Sequence, residues 1–152
     1  MFNENIALDC SMVGELFDKD GNLKQLVEKH NMILNAGFDF ICDCIGKSSG
    51  RPTNLTHIAV GRNSTSTLAT DLGLKQELVR SVATYTHTKG TKFFTMVATF
   101  APGVGTGSLT ETGLCNASSG GVTMDRVVFP VVNKEATDTF KVTFQFKLAE
   151  KA

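Results

Sequence analysis

Tryptophan is missing from this 152-residue chain, and tyrosine occurs once, as Tyr85. Sugar sites usually stack their ligand on exposed aromatic platforms, and amphipathic rings enrich binding surfaces in general. Their scarcity weighs against a carbohydrate-binding or other soluble ligand-binding module. A surplus of either charge is also missing, since Lys+Arg and Asp+Glu both number 15. Nucleic-acid binders carry a basic excess or a basic patch, and no dense Lys/Arg run occurs here. No apolar run approaches the ~20 residues that span a bilayer. Neither nucleic acid nor membrane is therefore an expected partner. Near-zero charge weakens self-repulsion and suits a chain that packs against copies of itself. Met1-Phe-Asn-Glu-Asn5 has no basic or apolar signal segment. Synthesis in a reducing cytoplasm is expected, with Cys10, Cys42, Cys44 and Cys115 as free, mostly buried thiols.

Reaction motifs are equally scarce. Cys42-x-Cys44 lacks the Cys-x-x-Cys spacing of zinc and redox sites, and no second pair completes it. His30, His57 and His87 fall in no His-Glu-x-x-His pattern, and there is no Gly-x-Ser-x-Gly elbow. Asp18-x-Asp20-Gly21-Asn22 faintly echoes a calcium loop, but such loops need glycine at the sixth position, where Leu23 stands. Gly103-x-Gly105-x-Gly107 is followed by an extended Leu/Thr run, whereas a phosphate cradle needs a helix start. No catalysis, metal or cofactor is expected.

What the chain does have is phenylalanine, 11 in all, and alternating strands. From Ile6 to Leu16 apolar side chains fall at even positions, the period of a half-buried strand. Asp18–Asn22 then reads as a hairpin tip, with Leu23–Leu34 returning. Phe140, Val142, Phe144, Phe146 and Leu148 alternate with Lys141, Thr143, Gln145 and Lys147, so this strand has one dry and one wet face. Strands are also predicted at Thr56–Val60, Arg80–Thr88, Thr91–Phe100, Leu109–Asn116 and Val122–Pro130. A single helix is expected at about Ala36–Ile45, capped by Asn35, with Phe38, Ile41, Cys42 and Ile45 on its apolar face. A second helix at Leu72–Val79 is a weaker candidate. The expected fold class is mainly β: an antiparallel β-sandwich with one short α-helix. It forms a single domain over residues 1–152, and its amino-terminal hairpin (about 6–34) is free to project for subunit contacts.

Three segments carry a resemblance. They are His30-Asn31-Met-Ile-Leu-Asn35-Ala-Gly37, His57-Ile-Ala-Val-Gly61 with the loop on to Leu74, and Gly105-Thr-Gly107-Ser-Leu-Thr-Glu111-Thr-Gly113-Leu114. Over roughly Asp18 to Leu148 the chain resembles small β-rich bacteriophage virion proteins, closest to tail-collar and tail-fibre-type structural domains. The resemblance implies a non-enzymatic, multi-copy tail or fibre-attachment component that contacts other virion proteins. Localisation would be the virion, assembled in the host cytoplasm. A capsid decoration protein is the alternative, favoured by the lack of a fibrous shaft or Gly-rich repeat.

Two regions are the expected subunit contacts. One is the hairpin tip, with Asp18, Asp20, Gly21 and Asn22. The other is the Gly61–Thr70 loop, with Arg62, Asn63, Ser64, Thr65, Ser66 and Thr67. The loop is long and polar for a mere connector, and its hydroxyls could mould to a partner. On this reading, removal of Arg62–Ala69 leaves the domain folded.

Overall fold

The computed structural model describes residues 6–150, the side chain of Glu150 excepted. The fold is a mainly β sandwich of two antiparallel five-stranded sheets with one short helix. In chain order the elements are β1 (Ile6–Phe17), β2 (Leu23–His30), β3 (Met32–Ile33), α1 (Asn35–Gly46), β4 (His57–Gly61), β5 (Glu77–Val82), β6 (Thr84–His87), β7 (Phe93–Phe100), β8 (Gly107–Cys115), β9 (Asp125–Lys134) and β10 (Thr139–Glu150). The first sheet runs β2-β1-β10-β7-β6 and the second β3-β9-β8-β4-β5.

β10 is the central strand of the first sheet. It pairs with β1 from Ile6↔Glu150 to Phe17↔Thr139, and on its other side with β7. Its alternation places Phe140, Val142, Phe144 and Phe146 on the inner face, each fully buried. Met12 and Leu16 of β1 and Met96, Ala98 and Phe100 of β7 extend that face sideways. Ile58, Val60, Leu109, Leu114, Val127 and Phe129 supply the opposing layer from the second sheet. Gly14 falls in line with the apolar residues of β1 because a Cβ there would meet the Phe140 ring and Val27 at 2.8 Å. The glycine makes room for a larger neighbour.

The amino-terminal hairpin does not project. β1 is an interior strand bonded along its length to β10, so only β2 lies at the sheet edge. Lys24 of β2 ties that edge down, since its Nζ donates to Asp138 at 2.8 Å.

Three further expectations are corrected. The predicted strand Arg80–Thr88 is two strands. β5 pairs with β4 in the second sheet and β6 with β7 in the first, so the chain changes sheets at Ala83. The Leu72–Val79 helix is absent; the segment is loop leading into β5. The helix α1 is present, but Asn35 lies inside it and Leu34 holds the cap position without a side-chain bond. Its buried face is Gly37 and Phe40, while Phe38, Cys42 and Ile45 are exposed. Gly37 decides this orientation. It rests on the Met124 backbone carbonyl, and a Cβ would have no space there.

Candidate functional site

Two regions bear on function: a polar loop pinned to the second sheet, and an apolar opening beside α1. β4 pairs with β8 from His57↔Cys115 to Gly61↔Glu111, so two of the three segments singled out in the sequence are neighbours. The third joins them, since Met32 pairs with Arg126 and the Asn35 N–H donates to the Ala69 carbonyl at 2.8 Å.

Glu111 and Arg126 hold this corner. Alternation along β9 puts Arg126 on the opposite face from Val127 and Phe129, away from the sandwich core. The loop after β4 covers that face, so both charged residues are fully buried. Arg126 Nε donates to Glu111 Oε2 at 2.8 Å. Its Nη1 donates to the Thr65 carbonyl at 2.8 Å and to Thr67 Oγ1 at 3.2 Å, and its Nη2 donates to the Asn63 carbonyl at 3.3 Å. Asp71 adds a carboxylate 3.7 Å from Nη1. Glu111 in turn accepts backbone N–H groups from Asn63, Lys75 and Gln76, at 3.2, 2.9 and 2.7 Å. The carboxylate and the guanidinium share one bond and spend their remaining capacity on the loop, fastening both its ends. A planar fork of donors suits this task better than a lysine would.

The loop is therefore not free to mould. Arg62 donates to the Thr106 carbonyl at 2.7 Å, and Asn63, Thr65 and Thr67 are spent on Arg126. Ser64 and Ser66 remain exposed on its outer side. The loop packs on its own sheet, and deleting Arg62–Ala69 would strip Arg126 of its carbonyl acceptors at Asn63 and Thr65, so the deletion is expected to cost stability. The hairpin tip lies apart, at the end of the first sheet. Asp18 Oδ1 accepts the N–H groups of Asp20 and Asn22, both at 2.9 Å, and Gly21 supplies the positive φ of the turn, 82°. The Asn22 N–H bond, foremost, holds the Asp18 carboxyl below its usual range. Asp20, Gly21 and Asn22 are exposed.

A second buried acid stands next to Arg126. Asp125 Oδ1 accepts the Leu114 N–H at 2.9 Å, and its Oδ2 accepts Asn31 Nδ2 at 2.7 Å. Burial pushes this carboxyl up to about 7, against the pull of those two bonds. An unfolded aspartate titrates near ~3.9. Between these values the folded chain holds a proton that the unfolded chain gives up, so stability falls as pH rises from about 4 to about 7. Asp18 and Asp138, both lowered, act only below this window, where their protonation destabilises the fold. Thermal melts from pH 4.5 to 8 are expected to show this decline, and Asp125→Asn to flatten it. An unchanged slope in the variant would assign the decline to another group.

The four thiols are free. Cys10 and Cys115 are buried, and burial raises both thiol pKa values. Cys42 is exposed, which departs from the expected burial because it lies on the outward side of α1.

The apolar opening was missed in the sequence. Where the first sheet reaches Ile6, Phe94 and Leu148, the second sheet no longer covers it. The helix stands over the gap and leaves a cleft of about 590 Å³, lined by Leu8, Phe40, Ile41, Leu55, Phe94 and Met124. Its rim carries Ile6, Phe38, Ile45 and Leu148, all half or more exposed, and, among the described residues, one cation, Lys92. A smaller recess of about 340 Å³ continues it toward Tyr85 at the edge strand β6, sharing Phe40, Cys44, Leu55 and Phe94. Tyr85 packs on Phe94, and Phe94 stacks on Phe146. Its signal in the sequence is Phe38 and Ile45, which helical spacing alone places on the buried face of α1.

Comparison of the chain with protein-family models, curated proteins and solved structures gives no match.

Proposed function

We propose that this chain is a non-enzymatic structural subunit of a bacteriophage virion, present in several copies as a tail or fibre-attachment component. The observation that supports a subunit role is the apolar opening. The opening gathers exposed apolar side chains of Ile6, Phe38, Ile45 and Leu148 around one cleft, a surface suited to being covered by another molecule. Balanced charge agrees with close packing of subunits. The virion setting comes from the resemblance of the His30–Gly37, His57–Leu74 and Gly105–Leu114 segments. In the fold these meet around the Glu111–Arg126 pair, which rigidifies the domain and leaves the apolar end to make contacts.

The test uses virions assembled with a tagged chain and imaged with a label against the tag. Label at the tail supports the proposal, label on the head makes the chain a decoration protein, and unlabelled virions overturn both. The double variant Phe38→Ser, Ile45→Ser should lower occupancy several-fold. Ile45 is largely exposed and Phe38 half-buried, so the loss of stability should stay at about 1 kcal/mol. Normal occupancy of the double variant would take this rim out of the contact.

A further inference from the structure

We propose that the free edge of β6, beside the apolar opening, takes an extended segment of a partner protein that carries apolar side chains at alternate positions and carboxylates at the end facing Lys89 and Lys92. The inference rests on the subunit reading above and names what covers the opening.

Among the described residues, β6 is the last strand of the first sheet and pairs only with β7. An edge strand offers N–H and C=O groups to an incoming chain, and β-strand addition uses them for affinity while side-chain pockets give selectivity. Among the described residues, the neighbouring connection bonds this side at one point only, Ala83 N–H to the Thr56 carbonyl at 2.8 Å, just before β6 begins.

The inner face of the sheet continues to this edge in rows. Met12, Phe144, Met96 and Tyr85 lie side by side across four strands. Cys10, Phe146, Phe94 and His87 form the next row. One more strand would sit roughly 4.8 Å beyond β6, and its inward side chains would extend these rows. They would meet the recess between Tyr85 and Leu55, which opens into the larger cleft. Side chains at alternate positions of the added strand would fill it, and the others would face water.

Charge gives the segment its polarity. Lys89 lies in the turn that follows β6, and Lys92 stands on the cleft rim. Neither joins an ion pair among the described residues, and no acidic side chain lines the cleft or its recess. A strand antiparallel to β6 brings its amino end to this turn, so the carboxylates belong there.

The probe is an acetylated synthetic peptide, a pair of aspartates followed by alternating valine and threonine. It is titrated into the isotope-labelled full chain. Saturable shifts and slowed amide exchange at Thr84–His87 are expected. Exchanging the aspartates for lysines, or making Lys89→Glu with Lys92→Glu in the chain, should weaken binding about tenfold. N-methylation of the peptide amides that face the edge should abolish it. No saturable response at Thr84–His87 with millimolar peptide would overturn the proposal, as would undiminished binding of both N-methylated registers. Dimerisation of the chain itself through β6 would overturn it in favour of a second copy. A chain found on virions whose β6 ignores the peptide loses only the strand proposal. A chain absent from virions that binds the peptide loses only the virion placement.

Discussion

Glu111→Ala is expected to be among the most damaging single substitutions in the molecule. The change leaves the Arg126 guanidinium fully buried, with Asp71 at 3.7 Å as its remaining carboxylate. Removing one partner of a buried ion pair typically costs about 3–5 kcal/mol, because the other charge stays behind without compensation. Here the carboxylate also accepts three backbone N–H groups, from Asn63, Lys75 and Gln76, which would lose their acceptor. The double variant Glu111→Leu, Arg126→Met separates the two contributions. It removes the stranded charge, and apolar replacement of a buried pair is often close to neutral. The loop amides remain unsatisfied, so the double variant should recover only part of the loss. Urea unfolding of the two variants and the parent measures this. A loss below about 1 kcal/mol for Glu111→Ala would mean that the pair does not hold the loop. Full recovery in the double variant would mean that the backbone bonds to Glu111 contribute nothing.

This pair also marks the limit of what the sequence can convey. Glu111 was visible as a charge in a Thr-rich strand, and Arg126 as a charge in a Val-rich one. Their meeting depends on the β8–β9 register, which shifts between Leu109 and Glu111. A bulge of this kind moves every later pairing without leaving a mark in composition. Polar residues alone make the loop look adaptable. They are polar because they satisfy a buried guanidinium, which only the tertiary structure reveals.

Elements whose two faces differ were legible, and elements whose faces are alike were not. β10 could be read without error because Phe and Val alternate with Lys, Thr and Gln. The change of sheet at Ala83 was invisible: Ser81-Val82-Ala83-Thr84-Tyr85 is strand-compatible throughout, with no glycine or proline to mark the break. In α1 the run Phe38-Asp-Phe40-Ile41-Cys42-Asp-Cys44-Ile45 supports two apolar stripes at helical spacing. Contact of Gly37 with the Met124 backbone selects the stripe of Phe40 and Cys44, and leaves Phe38 and Ile45 outside. The apolar opening follows from that selection, so it could not be seen before the helix was docked.

Phe144→Ala in β10 is expected to destabilise the domain by about 3–5 kcal/mol, the usual cost of truncating a fully buried ring. Phe144 sits in the central strand between Met12 of β1 and Met96 of β7, and its ring stacks on Phe146. The strands on both sides are bonded along their length, so the sheet cannot close over the hole by a local shift. Much of the transfer and cavity cost should therefore remain. Lys141→Ala in the same strand is the control, because its side chain lies on the wet face. It should change stability by less than about 0.5 kcal/mol. Equal effects of the two substitutions would contradict the assignment of faces. The contrast also bears on the apolar opening, because Phe146 carries Phe94, and Phe94 carries Tyr85 at the β6 edge. A cavity at Phe144 should loosen this chain of rings from within, so exchange at the amides of Thr84–His87 should quicken in Phe144→Ala and not in Lys141→Ala.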